Sequence, residues 1–164
     1  MIVLQVSDFI GRYLLAKNTY NVDVIQACIN DFERKAIYDL LGVTLGDEYI
    51  NDLSGGVPQT PSFQVIHNQL SFDHCNKVYS STGIKDYLLG IVYFHAITEA
   101  RLSPSNSSGA IEKQAEIGKV AHSRSEIYKR YNDSVDNGRT IQTYIELHLL
   151  DYEGFNGQRL LYNY

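Results

Sequence analysis

The sequence predicts a mainly α-helical fold: a helical bundle with an extended arm, or a short β-hairpin, between its core helix and its last helix. Three observations predict it. Apolar residues recur at spacings of three and four over residues 22–40. Residues 84–97 are apolar nearly all round a helix. A capping box, Ser123-Arg-Ser-Glu126, opens a long segment whose apolar residues stay in phase. The chain has 164 residues, and one domain takes roughly 100–200, so residues 1–164 are read as a single helical domain. With 44% hydrophobic and 20% charged residues, it can bury a core and does not have the composition of a disordered tail.

Taken in order, Ser7-Asp8 starts a short helix with Ile10, Tyr13 and Leu14 on one face, running to about Lys17. Asn18–Asn21 is a turn. Val22, Ile25, Ile29, Phe32, Ala36 and Leu40 then form the clearest amphipathic stripe, with Glu33 and Asp39 among the polar residues off it. Gly42 follows as a left-handed residue closing that helix, and Thr44–Asp47 begins the next, with Leu45, Tyr49 and Leu53 inward. Ser54–Pro61 contains two prolines and two glycines and reads as a surface loop. Residues 62–80 hold two short apolar clusters and stay mixed in assignment.

Thr82 caps the core helix, expected over residues 82–101. Gly90 in its middle costs about 1 kcal/mol against alanine, which is offset if another helix crosses closely there. Ser103–Gly109 is a loop, and Ala110–Val120 lacks helical periodicity, so the arm spans about 103–122. In the last helix Ile127, Tyr131, Val135, Ile141, Ile145 and Leu149 share a phase. Asp136-Asn-Gly138 is a weak point that could split it, and one continuous helix is the expectation. A tail over about 151–164 ends in Leu160, Leu161, Tyr162 and Tyr164, apolar groups in need of a partner.

The formal net charge is −5, and residues 1–60 carry eight acids against four bases. Such a surface repels phosphate and disfavours tight non-specific nucleic-acid binding. Residues 110–131 reverse the sign, with five bases against three acids; they suit either an acidic neighbour, DNA phosphates or a solvated helix face. Thirteen tyrosines and no tryptophan fit either surfaces buried on assembly or the edge of an ordinary core. No run approaches the roughly 18 apolar residues of a membrane span, and the N-terminus does not read as a signal peptide, so the protein is expected to stay where it was made. Cys28 and Cys75 are too few for a disulfide framework and are expected to be buried thiols.

No catalytic constellation emerges, and the chain is not expected to be an enzyme. His67, His74 and Cys75 are the only residues grouped like metal ligands, short of the four a structural zinc needs. His95 and Glu99 lie one turn apart but lack the second histidine of a zinc-protease motif. Neither cysteine sits beside a histidine in a helix-start setting of the kind that activates a thiol. Phosphate-binding glycine loops and the nucleophile-elbow motif are absent, so neither metal nor cofactor is expected.

The helical corner Ala36–Leu53, the core helix Gly83–Ile97, and a Ser/Asn/Gly-rich arm before a tyrosine-rich last helix occur here in that order. This layout resembles the small head–tail connector, or adaptor, proteins of tailed bacteriophages, especially phages of Bacteroidetes including the crAss-like group. The similarity covers most of residues 20–150 and rests on patterns of helix and loop. It implies a structural virion protein at the head–tail interface, assembled in the host cytoplasm. Such proteins form a homo-oligomeric ring, usually dodecameric, that contacts the portal protein and tail or further ring proteins. The ring extends a channel for double-stranded DNA and supports its retention and passage without sequence-specific binding, and acidic faces near the bore keep it from sticking. No membrane is involved. In such a ring Ile111, Ile117 and Val120 would pack on a neighbour or the portal, Lys113 and Lys119 would meet acids there, and Leu160, Leu161, Tyr162 and Tyr164 would supply a second contact. Residues 54–80 and the tail depart from the shorter family pattern. The alternative from another class is a helical protein- or ligand-binding regulatory domain with a pocket near His95 and Glu99.

Overall fold

A computed structural model of the chain describes residues 2–15, 22–102 and 124–160, with side chains over the same stretches except at 99–102 and 124. Among them are five α-helices: α1 (Val22–Leu41), α2 (Val43–Asp52), α3 (Pro61–His67), α4 (Ile84–Leu102) and α5 (Arg124–Leu147). Two small antiparallel hairpins accompany them, β1 (Leu53–Ser54) with β2 (Val57–Pro58), and β3 (Leu70–His74) with β4 (Lys77–Ser81). The architecture is therefore mixed α/β, which corrects the expectation of a helical bundle. The arm at 103–122, expected to hold any hairpin, lies outside the described residues.

Both hairpins fall where the sequence lacks clean periodicity. Gly55-Gly56 turns the first and returns the chain so that Leu53 pairs with Pro58. Asp52 fixes its exit, its carboxylate accepting the N–H groups of Gln59 and Thr60 at 2.8 Å each and the Thr60 hydroxyl at 2.6 Å. Pro61 then opens α3, where its missing N–H costs nothing. In the second hairpin Cys75 and Asn76 both have positive φ, 49° and 60°, the geometry a two-residue turn needs to match strand twist. Phe72 pairs with Tyr79, their rings stacked at 5.3 Å.

The predicted first helix is instead two separate 3-10 turns, Val6–Asp8 and Gly11–Tyr13. Asp8 turns back to accept the Gln5 N–H at 2.8 Å, closing the first turn before a helix can propagate. Gly42 has φ 83° and ψ 166°, a conformation open essentially to glycine, and it joins α1 to α2 with no intervening loop.

The core is a layer of three helices with α4 in the middle. Phe32 stacks on His95 and the Tyr87 hydroxyl donates to the Ala36 carbonyl, so α1 runs antiparallel to α4. Tyr93 faces Arg130, Gly90 faces Ser134 and Ser81 faces Asn137, so α5 is antiparallel to α4 as well. Leu88, Ile91 and Phe94 are all buried, as the all-round apolar pattern predicts. Gly90 lies where α5 crosses: a methyl group there would sit 2.7 Å from the Ser134 Cβ.

α5 is continuous through Asp136-Asn-Gly138. Asn137, read as part of a weak point, is a staple. Its buried amide oxygen accepts from the Ser81 hydroxyl at 2.5 Å and the Thr82 N–H at 2.8 Å, while its NH₂ donates to the Gly83 carbonyl at 3.0 Å. α5 ends at Leu147, so Leu149 lies beyond it and is exposed.

Candidate functional site

Beyond α5 the chain turns back as a strap along the C-terminal half of α1. The Asn156 N–H donates to the Leu41 carbonyl at 3.3 Å and the Gln158 N–H to the Asp39 carbonyl at 2.8 Å. Gln142 from α5 bridges the two with one amide, donating to Leu40 and Gln158 carbonyls at 2.9 and 2.8 Å. Arg139 donates to the Leu160 carbonyl at 2.8 Å. The bonds to Asp39, Leu40 and Leu41 satisfy carbonyls that the end of α1 leaves free.

Where the strap ends, a cleft of about 350 Å³ opens between α1, α4, α5 and Leu160. Ile91 and Phe94 make its buried floor, Phe32 and Tyr131 its half-buried walls, and Lys35 and Arg159 its exposed rim. The Phe32 and His95 rings lie parallel with centroids 3.8 Å apart. Burial, then the nearby Lys35, hold the His95 imidazole below its usual range, so it is neutral at pH 7. Burial raises the Asp39 carboxyl, and Lys35 opposes that rise. The cleft presents polar as well as apolar surface, with aromatic and aliphatic side chains in its floor and walls and cations at its edge. The neighbouring residue of the predicted pair, Glu99, has its side chain outside the described residues.

The other candidates are separated by the fold. His67 is buried and shares a 2.7 Å hydrogen bond through Nδ1 with the Tyr49 hydroxyl, tying α3 to α2. Burial lowers the His67 pKa, and Lys85 lowers it further. His74 and Cys75 sit at the tip of the second hairpin, Nε2 and Sγ 3.2 Å apart. Cys75 is exposed, which corrects its assignment as a buried thiol, while Cys28 is buried. Among the described residues no three His, Cys, Asp or Glu side chains group as metal ligands, and no helix is long and apolar enough to cross a membrane.

Of the predicted interface residues, Ile111, Lys113, Ile117, Lys119 and Val120 lie outside the described residues, as do Leu161, Tyr162 and Tyr164. Leu160 is described, and it packs half-buried on its own domain against the core. None of the described tyrosines is exposed. Tyr49, Tyr87 and Tyr152 are buried with hydroxyls bonded to His67, the Ala36 carbonyl and the Ser62 carbonyl, which favours the core-edge reading of this residue type.

Two features had no signal in the spacing. Glu33, placed on the polar side of α1, is only 1% exposed. Its carboxylate accepts the N–H groups of Ile2, Val3 and Leu4 at 3.0, 2.6 and 2.6 Å, pinning the N-terminal segment to the domain. The second is a set of exposed apolar residues on several elements, Ile10, Leu14, Val43, Val57, Val65 and Val78 among them, together with Val22 and three leucines. Val22 stands at the start of α1, while Leu147, Leu149 and Leu150 cluster at the end of α5. Since α1 and α5 both run antiparallel to α4, these two sites are at opposite ends. Neither a protein family, nor a curated protein, nor a solved structure matches the chain.

Proposed function

We propose that this chain is the subunit of a homo-oligomeric ring placed between the portal and the tail of a tailed phage, where it extends the channel through which DNA passes. The resemblance of most of residues 20–150 to connector proteins suggests the reading, and one structural observation supports it: Leu149 and Leu150 stand exposed side by side just after α5, an apolar surface apart from the cleft. Leu150, 93% exposed beside the exposed Leu149, suits burial against a partner. A subunit that joins its neighbour through two different surfaces makes a head-to-tail contact, which closes into a ring when the rotation per subunit allows. Particle imaging of the protein mixed with its portal tests this: annular particles seated on one end of the portal are expected, and portals left bare would overturn the assignment.

The cleft beside His95 favours a second reading, a regulatory domain that binds a ligand or a protein segment there. Under it the protein is a monomer whose melting temperature rises with a small-molecule ligand and is indifferent to the portal.

A further inference from the structure

The ring reading leaves open which surfaces meet, and the cleft and the end of α5 have complementary chemistry. The end of α5 is a knob: Leu149 and Leu150 project from the turn after the helix, both exposed. The chain around them, residues 140–158, carries Glu146, Asp151 and Glu153 and neither lysine nor arginine. The cleft is the opposite surface. Its floor and walls are aromatic and aliphatic, its rim carries Lys35 and Arg159 against the single acid Asp39, and His95 is neutral. Its volume, about 350 Å³, is about ten times the roughly 30 Å³ share of one water, so it admits whole side chains.

We infer that the cleft between α1, α4 and α5 receives the Leu149–Leu150 knob of a second copy of this chain, with Asp151 and Glu153 meeting Lys35 and Arg159 at the rim. The inference rests on the ring reading and deepens it. It makes the contact heterologous, since knob and cleft are different surfaces of one subunit, and such a contact propagates until it closes. The leucines supply affinity by leaving water, and the rim charges set register and exclude wrong docking.

Charge reversal tests it. All four rim residues are exposed, so the variants keep the fold, which unchanged melting temperatures verify. One double variant, Lys35→Glu with Arg159→Glu, gives an acidic cleft facing an acidic knob. The other, Asp151→Lys with Glu153→Lys, gives a basic knob facing a basic cleft. Each alone raises the concentration needed for assembly at least about tenfold, an effect that weakens with salt because rim charges are screened. Mixed in equal amounts the two doubles assemble again in alternation, as does the quadruple variant by itself. If the wild-type chain does not assemble, the ring reading and this inference fall together. If both doubles assemble as the wild type does, the ring reading stands and the inference is overturned. Loss of assembly without rescue in the mixture also overturns it.

Discussion

Replacing Gly90 with alanine sets two opposing effects against each other. Alanine is favoured over glycine inside a helix by about 1 kcal/mol, so propensity alone predicts a more stable protein. Packing predicts the reverse. The new methyl group would meet the Ser134 hydroxyl and lie 2.7 Å from the Ser134 Cβ, with the Tyr13 hydroxyl at 3.3 Å. Rotating the serine clears its oxygen and leaves the Cβ–Cβ approach, which the two backbones fix. α4 and α5 must separate, loosening a densely packed layer, and overpacking of this kind costs about 1–3 kcal/mol. Because this contact is well inside normal van der Waals distance, a net loss of about 2 kcal/mol is expected, read as a melting temperature lower by about 4–8 °C. Urea titration followed by circular dichroism measures it. Combining Gly90→Ala with Ser134→Gly removes the obstruction, and the double-mutant cycle should return a favourable coupling of about 1–2 kcal/mol. A Gly90→Ala protein as stable as the wild type, or a cycle with no coupling, would refute the account of why a glycine stands in the core helix.

Glu33→Gln replaces a carboxylate that accepts three backbone N–H groups by an amide with one acceptor oxygen; a loss of about 2 kcal/mol is expected, with faster hydrogen exchange at Val3 and Leu4. Asn137→Ala leaves the Ser81 hydroxyl and the Thr82 and Gly83 backbone groups unpaired; a loss of about 2–3 kcal/mol is expected in urea unfolding, against the near-neutral result of a true helix break. His67 and His95 both have lowered pKa values through burial. Their contribution is therefore complete above the unfolded value of about 6.5 and is lost as pH falls through their folded values, because the unfolded chain takes the protons first. Melting temperature should decline from pH 7 to pH 5, with a shallower slope in His67→Gln. Deleting residues 105–119 should keep the α4–α5 pairing, as judged by circular dichroism, and abolish ring or portal assembly if the arm is part of the interface.

The long helices were legible because their packing faces are written in local spacing. α1 shows its stripe from Ile25 to Leu40, Val22 being exposed instead, and α4 is apolar enough that most of its described side chains are buried. The hairpins were not. Leu70–Ser81 pairs Ser71 with Ser80 and Asp73 with Val78, residues whose strand character comes from the pairing and not from propensity. Ser54–Pro61 showed the glycines and prolines of a turn, which mark a loop and a tight hairpin alike. The first segment failed because Ser7-Asp8 is as good a turn as it is a helix start, and Asp8 uses its side chain on Gln5.

The site was legible in pieces. His95 was singled out, and it does line the cleft, but the cleft is completed by Lys35 from α1, Tyr131 from α5 and Arg159 from the strap. No spacing rule links residues so far apart. Glu33 is a similar case: its partners are backbone groups 29–31 residues away, so the helical pattern could only place it with the other polar residues. The apolar tail was expected to need a partner, and at Leu160 that partner is its own domain, which Gly138 allows by leaving room for the leucine side chain.

Native mass spectrometry of the purified chain, over a range of concentrations and with its portal added, reads ring formation by this chain without an intermediate inference. One discrete species at a fixed integer multiple of the subunit mass is expected, stable to dilution and replaced by smaller species when Leu150 is changed to aspartate. A chain that stays monomeric at every concentration, with the portal and without it, would contradict ring formation.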